Sequence, residues 1–355
     1  MERLNRMDAD PLDADLKAAD GPAPGLGGRS RWLDLDGPVH YLDFGGPADG
    51  PMIVCVHGLT GGAVNWSAIA PLLTGRCRML APDLAGHGLT RSGRRGTDVA
   101  ANRALLHRFI ESLSAGPVIL MGNSMGGMIS LLEASASPRA VAGLILVDPA
   151  LPFVPAWPDP LVTAIFALGA TPVLGQAMVG RLLRRSPEAT VASLLSLCCA
   201  DASRVHPDIV ALHVAVARKR EAFTDVDRGT AAAMRSVIAT AGLGSGQAYR
   251  RGIRSITCPV VLLHGDRDRL VPVTVARSAA RAHPSWSLVV LPGVGHVPQL
   301  EAPRETATAI SDWLGSAGRD AAESAIPDRR AGSHGELGSR RPGRWWRLPR
   351  PGGRH

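Results

Sequence analysis

Short apolar runs alternate with amphipathic stretches along most of the chain. Seven of these runs are predicted to be β-strands, at residues 39–44, 52–56, 77–81, 118–121, 144–147, 260–263 and 288–291. Several are apolar throughout, which is typical of strands covered by helices on both faces of a sheet. Residues 98–113 form the pattern of an amphipathic helix. The alternation predicts an α/β fold with a mostly parallel central sheet flanked by helices.

The alternation stops after Pro149 and resumes at Cys258-Pro259. The intervening region predicts helices instead, at residues 161–168, 189–199, 207–223 and 228–241. We therefore expect an α-helical cap at residues 151–252, inserted between two halves of one core domain at 29–150 and 253–316. The ends are predicted to be a flexible N-terminal segment at 1–28 and a disordered Arg/Gly/Pro-rich tail at 317–355.

The formal net charge of +8 is concentrated in that tail. Residues 319–355 carry nine arginines against four acidic residues, which leaves little net charge on the rest of the chain. The basicity therefore predicts no nucleic-acid partner for the domain before it. Trp345-Trp346, flanked by arginines, could stack on bases or touch an anionic membrane weakly, but a solvated tail is the preferred interpretation.

Two uncharged stretches, 112–132 and 160–180, reach the length of a membrane span. Glycine and proline interrupt both, so no transmembrane segment is predicted, and the second stretch is interpreted as a helical part of the cap. The N-terminus lacks the pattern of a secretory signal. The five cysteines show no disulfide or metal spacing. Free thiols in a reducing compartment, and thus a cytoplasmic location, are expected, with no metal and no cofactor.

A candidate nucleophile lies in Gly122-Asn123-Ser124-Met125-Gly126, between a predicted strand and an apolar helix. A serine that projects from so sharp a strand-to-helix turn requires small residues two positions away on either side. A serine hydroxyl is a weak nucleophile and needs a neighbouring base. His296, in a glycine-containing loop after the last predicted strand, is the candidate, because catalytic loops gather at this edge of a parallel sheet.

A carboxylate must orient that histidine and stabilise its protonated form. Three aspartates compete for this role: Asp268, Asp266 in the same loop, and Asp148 at the end of the preceding core strand. Asp268 is favoured because serine, acid and histidine then follow the chain order of this type of fold. Asp148 is the principal alternative.

These motifs together resemble those of the α/β-hydrolase superfamily. The matching blocks are Val56-His57-Gly58-Leu59, Asp83-Leu84-Ala85-Gly86-His87-Gly88, Gly122-Asn123-Ser124-Met125-Gly126-Gly127, His264-Gly265-Asp266-Arg267-Asp268 and Gly295-His296. The resemblance implies a triad of Ser124, Asp268 and His296, and an oxyanion hole formed by the backbone N–H groups of Leu59 and Met125. His57 and His87 are expected to be structural.

The resemblance also limits the chemistry that we expect. Haloalkane dehalogenases and epoxide hydrolases of this fold carry aspartate where this chain has Ser124, so those reactions are disfavoured. Hydrolysis of an ester of a small, apolar substrate through an acyl-enzyme is the favoured reaction. Carbon–carbon bond hydrolysis, cofactor-free perhydrolysis and acyl transfer stay open, and a non-catalytic ligand-binding member of the superfamily is the alternative from another class.

Overall fold

A computed structural model describes residues 28–113, 116–152, 159–223, 226–242 and 246–326. Eight strands form one sheet in the order β1-β2-β4-β3-β5-β6-β7-β8. β1 and β2 pair antiparallel at one edge, and the other strands run parallel. The strands are β1 (Arg29–Asp34), β2 (Pro38–Gly45), β3 (Met52–Val56), β4 (Arg78–Pro82), β5 (Val118–Asn123), β6 (Val141–Val147), β7 (Val260–Gly265) and β8 (Ser287–Leu291).

The central strands are apolar at nearly every position because each of their two faces is covered. Successive side chains of a strand point to opposite faces. Accordingly Ile119 and Met121 of β5 join one buried cluster, whereas Val118 and Leu120 join another on the opposite face. The same alternation holds for β3, β6 and β7. The predicted α/β fold with a mostly parallel sheet is confirmed.

Helices cover both faces of the sheet. They are α1 (Ala70–Leu73), α2 (Val99–Leu113), α3 (Met125–Ala136), α4 (Pro160–Ala170), α5 (Pro172–Leu183), α6 (Pro187–Cys198), α7 (Pro207–Arg220), α8 (Val226–Ala241), α9 (Gly246–Arg254), α10 (Val273–Ala282), α11 (Pro298–Glu301), α12 (Pro303–Leu314) and α13 (Arg319–Ser324). Short 3₁₀ helices lie at Ala63–Trp66 and Ala202–Arg204. Helices α4 to α9 occupy the long connection between β6 and β7.

Several elements were not predicted from the sequence, among them strand β1 and helices α5 and α9. Strand β1 is largely exposed and therefore lacks an apolar run. Helix α5 lies in the second half of the apolar stretch 160–180. Pro172 interrupts that stretch, and it is the first residue of α5. Helix α9 is short and rich in arginine, and it packs on core helix α3. The cap boundary predicted at Gly252 thus falls inside a helix.

The predicted disordered tail is wrong in its first residues, because α13 lies within it. Ala321 and Ala325 are buried against the sheet, and the backbone N–H of Met52 donates to the carbonyl oxygen of Ala325 at 3.0 Å. Alanine contributes little to a hydrophobic pattern in the sequence, yet it fits where Gly143 leaves no side chain in the way. The other predictions for residues 1–27 and 327–355, Trp345-Trp346 included, lie outside the described residues.

Candidate active site

Ser124 lies at the turn between β5 and α3. Its backbone has φ 54° and ψ −116°, a strained conformation for a residue other than glycine. A Cβ atom on Gly122 would lie 2.5 Å from the carbonyl oxygen of Gly126, and one on Gly126 would lie 2.0 Å from that of Val56. The two glycines are therefore required because backbone crosses backbone here, and the turn lifts the serine side chain out of the sheet.

His296 lies in the loop after β8 and is bound to Asp268, in the loop after β7. His296 Nδ1 and Asp268 Oδ2 are 2.7 Å apart, and both side chains are buried. The other carboxyl oxygen of Asp268 accepts from the backbone N–H groups of Leu270 and Val271 at 2.8 and 3.0 Å. Burial raises the pKa of Asp268, but His296 and these hydrogen bonds outweigh it and hold the pKa below its usual value.

An ionised Asp268 fixes the tautomer of His296. A carboxylate only accepts hydrogen bonds, so Nδ1 carries the proton and Nε2 keeps a free lone pair. The structure thus brings Asp268, and not Asp148, against His296. Asp266 lies away from it, exposed, where it accepts from the backbone N–H of Gly293 at 2.7 Å.

Asp148 lies behind this pair, fully buried at the end of β6. One of its carboxyl oxygens accepts from the backbone N–H of Gly265 at 3.0 Å. A carboxyl oxygen of Asp148 also lies within 4.8 Å of one of Asp268. Burial and the neighbouring Asp268 raise the pKa of Asp148 well above its ordinary value. Asp148 therefore holds a proton more readily than Asp268 does.

Asp148, His264 and Asp268 also place potential metal ligands within 4.8 Å of one another. His264 Nε2, however, lies 2.8 Å from the carbonyl oxygen of Val271, which can only accept. This nitrogen must then carry a proton and has no lone pair for a metal ion. The group of side chains fits a hydrogen-bond network around Asp268 better than a metal centre.

Asp148→Asn is expected to raise the melting temperature, with a gain over wild type that grows with pH. A carboxyl whose pKa is raised in the folded state loses stability as the pH climbs from the unfolded value of about 3.9 towards the folded pKa. Asparagine cannot ionise, yet its side-chain oxygen can still accept from the backbone N–H of Gly265 as the acid does. Thermal unfolding between acid and alkaline pH measures this, with about 2 °C expected per kcal/mol recovered.

Asp266→Asn is the matched control for that experiment, because it removes an exposed carboxylate from the loop after the neighbouring strand β7. Its difference from wild type should not follow the pH dependence seen for Asp148→Asn. A constant difference between Asp148→Asn and wild type across the pH range would show that Asp148 is ionised in the folded protein.

Leu59 and Met125 lie on either side of Ser124 at the cavity wall. Met125 is the first residue of α3, so its N–H is one of those that a helix leaves without an internal partner. The loop of Leu59 passes close to the serine, because a Cβ atom on Gly58 would lie 3.1 Å from Ser124 Cβ. In the same loop, Thr60 has a φ of 62°. Both residues predicted for the oxyanion hole thus lie close to the serine.

His57 and His87 are buried in the loops beneath the site. His57 Nε2 accepts from the backbone N–H of Leu84 at 3.0 Å, and its Nδ1 lies 2.8 Å from the carbonyl oxygen of Gly58. Burial lowers the pKa of both histidines, that of His87 to about 3. Two neutral rings in contact with backbone groups hold the loops together and leave the proton chemistry to His296.

Two side chains that the sequence interpretation did not single out hold the His296 loop. Asn123 Nδ2 donates to the carbonyl oxygen of His296 at 3.0 Å. The buried carboxylate of Glu301 accepts from the backbone N–H groups of Gly295, Ala200 and Asp201, at distances from 2.8 to 3.1 Å. Asn123 was visible inside the serine motif, but nothing in the sequence connects Glu301 with residues a hundred positions away.

Ser124 and His296 open into a cavity of about 830 Å³. The core contributes the loops of Leu59 and Met125, and the inserted helices α4 to α8 contribute a mostly apolar wall. Arg220 of α7 joins the two parts by donating to the carbonyl oxygens of Gly88 and Gly86 at 2.6 and 2.9 Å. The arrangement places a serine hydroxyl, a histidine with a free nitrogen and two N–H groups at the floor of an apolar cavity.

Comparison with known proteins agrees with this fold and site. The model of a family described as the alpha/beta hydrolase family matches residues 53–309, so the chain belongs to that family. The chain is 28% identical to a pimeloyl-acyl-carrier-protein methyl ester esterase of Aromatoleum aromaticum, over 74% of this chain and 97% of the esterase. It is also 28% identical to the dihydrolipoyllysine-residue acetyltransferase component of the acetoin cleaving system of Pseudomonas putida, over 80% of this chain and 67% of that protein.

Solved structures show the same fold. One described as a putative lipase from Acinetobacter baumannii superposes with a TM-score of 0.68, covering 89% of this chain and 99% of that one at 22% identity. The relatives include a lipase, an esterase and a dehalogenase, which supports a hydrolase of this superfamily. Their names differ in chemistry at similar identity, so sequence similarity alone does not select a substrate.

Proposed function

We propose that the protein is a serine hydrolase that cleaves an ester, or a related acyl bond, of a small apolar substrate through an acyl-enzyme. The observation that carries this proposal is the shared cavity of Ser124 and His296, with His296 bound on its far side to the ionised Asp268. A nucleophile, its base and the acid that orients the base are the three components of such a site.

In the proposed mechanism, His296 Nε2 takes the proton of Ser124 while Oγ attacks the carbonyl carbon. The negative charge that develops on the carbonyl oxygen is stabilised by the N–H groups of Leu59 and Met125, which are fixed in place before the reaction. Collapse of the tetrahedral intermediate expels the alcohol, which takes the proton from His296. Water then attacks the acyl-enzyme with the same base, and the acid leaves with Ser124 restored.

We propose that residues 151–252 form a cap that selects the substrate. Side chains from its helices, Phe166 of α4, Leu194 of α6 and Met234 of α8 among them, form the wall opposite the serine. Burying apolar groups of a substrate against such a wall is favourable at about 25 cal/mol per Å². An apolar acyl chain or ring therefore fits this space, as the composition of the region had suggested.

Acyl transfer is the second candidate, because the relative from Pseudomonas putida is named as an acetyltransferase component. The first half of the reaction is the same, and the acyl-enzyme is then attacked by an alcohol, amine or thiol acceptor in place of water. Product transferred to an added acceptor in excess of hydrolysis would favour this candidate over the esterase.

A fluorophosphonate probe tests the nucleophile without any knowledge of the substrate. Wild type should be labelled stoichiometrically on Ser124, and Ser124→Ala should not be labelled. p-Nitrophenyl esters of graded acyl length then test the reaction, with an optimum expected at an acyl chain longer than acetyl. A folded wild-type protein that neither labels nor hydrolyses any of these esters would contradict the proposal and leave the ligand-binding alternative.

A further inference from the structure

Helix α4 is apolar on all sides although more than half of it is exposed. A surface helix of a soluble domain usually presents charged or polar residues to water. This helix, Pro-Leu-Val-Thr-Ala-Ile-Phe-Ala-Leu-Gly-Ala, has no ionisable side chain. Ile165 and Phe166 line the cavity. Leu161, which also lines it, is 56% exposed, and Leu168 is 39% exposed. The polarity expected of an exposed helix surface is missing.

The exposed apolar surface continues onto α5. Val173 and Leu174, at the start of that helix, are 77% and 56% exposed. Four of the seven large hydrophobic side chains described as exposed thus lie in this pair of helices, which we call the α4–α5 hairpin (Pro160 to Leu183). Contiguous exposed apolar surface of this kind marks an interaction site.

The charge of the hairpin indicates which partner fits. Residues 160–185 include no acidic residue, and Arg181, Arg184 and Arg185 are all exposed. Leu174, Ala177 and Arg181 are separated by three or four positions, so they share one side of α5, and Arg184 and Arg185 follow where the helix ends. That side is apolar near the start of α5 and cationic near its end. Two acidic residues border the hairpin, and both have partners. Asp159 pairs with Arg269, and Asp227 accepts from Gln176.

We propose that the outer face of the α4–α5 hairpin docks on an anionic lipid bilayer. An apolar side bordered by arginines is what lets a helix lie in a membrane interface, with side chains among the acyl groups and guanidinium groups at the level of the lipid phosphates. No single helix among the described residues is long and apolar enough to cross a bilayer. The pair Pro160–Ala170 and Pro172–Leu182 is bent by 117°, and this shape suits a wedge on the surface.

Docking would place the wall of the cavity at the lipid surface. The same two helices supply the outer face and, through Phe166, Met178 and Val179, the inner wall above Ser124. The inference does not depend on the reaction that Ser124 performs, since it rests on the exposure and charge of the hairpin.

Vesicle flotation of the full chain tests the proposal. We expect it to float with vesicles of equimolar phosphatidylcholine and phosphatidylglycerol, and less with phosphatidylcholine alone. Val173→Asn/Leu174→Asn should lower the bound fraction at least about tenfold, because two half-exposed side chains lose their burial in lipid. Asparagine is accepted in the first turn of a helix, so α5 should survive. Arg181→Ala should lower binding about fivefold on the anionic vesicles only.

Leu72→Asn is the matched control, since it removes a side chain of similar exposure from α1, outside the hairpin. It should bind as wild type does. Circular dichroism melting checks folding, and Leu168→Asn replaces the double variant if that variant unfolds. The proposal fails if wild type does not bind the anionic vesicles, or if the folded hairpin variant binds them as well as wild type does. It also fails if sedimentation shows a wild-type dimer that the hairpin variant dissociates, because a second copy then covers this face.

Discussion

Ser124→Ala and His296→Ala are each expected to lower kcat/KM by about 10⁶-fold, and combining them is expected to lower it no further. The serine is a weak nucleophile until His296 takes its proton, and the histidine has nothing to activate once the serine is gone. Initial rates with the best p-nitrophenyl ester of the wild type measure the three values. The residual rate reflects substrate binding and the N–H groups of Leu59 and Met125.

Ser278→Ala, on the surface of α10, is the control for the effect of a serine substitution as such, and it should keep the wild-type rate. Losses that multiply in the double variant would show that the two residues act independently. A His296→Ala variant within about tenfold of wild type would show that another base serves Ser124.

The sequence predicts the central part of the sheet because each buried strand is a recognisable apolar run. β3, β5 and β7 are apolar on both faces, and that pattern follows directly from burial beneath two layers of helices. β1 has no such run because it lies at an exposed edge. α13 was missed for a related reason, since its buried positions are alanines whose packing depends on Gly143 of a distant strand.

The candidate site was predictable where its geometry is local. The Ser124 turn needs small residues at fixed positions, and these positions all fall within five consecutive residues. The choice between Asp148 and Asp268 was not local. Both follow core strands, and only the folded chain shows that Asp268 lies against His296 while Asp148 accepts from the backbone of Gly265. Glu301 holds the His296 loop through contacts that include the residues after helix α6, and no pattern in the sequence predicts these contacts.

Asp268→Asn is expected to lower kcat/KM by about 10⁴-fold, whereas Asp148→Asn should lower it less than about tenfold. An amide at position 268 can donate to His296 Nδ1 and so favour the tautomer with its proton on Nε2, where the base is needed. It also removes the negative charge that stabilises the protonated imidazole. At position 148 the amide replaces a carboxyl whose pKa is raised by burial, and it keeps the acceptor for the backbone N–H of Gly265.

The two variants form a matched pair, because each replaces one of two neighbouring buried carboxyls by an amide of the same shape. Melting temperatures identify any loss of folding, and the fluorophosphonate labelling rate gives a second measure of Ser124 activation that is independent of ester choice. The reverse order of losses would assign the orienting role to Asp148. Equal and large losses would mean that the pair shares its charge, so that neither carboxyl can be held neutral without disturbing His296.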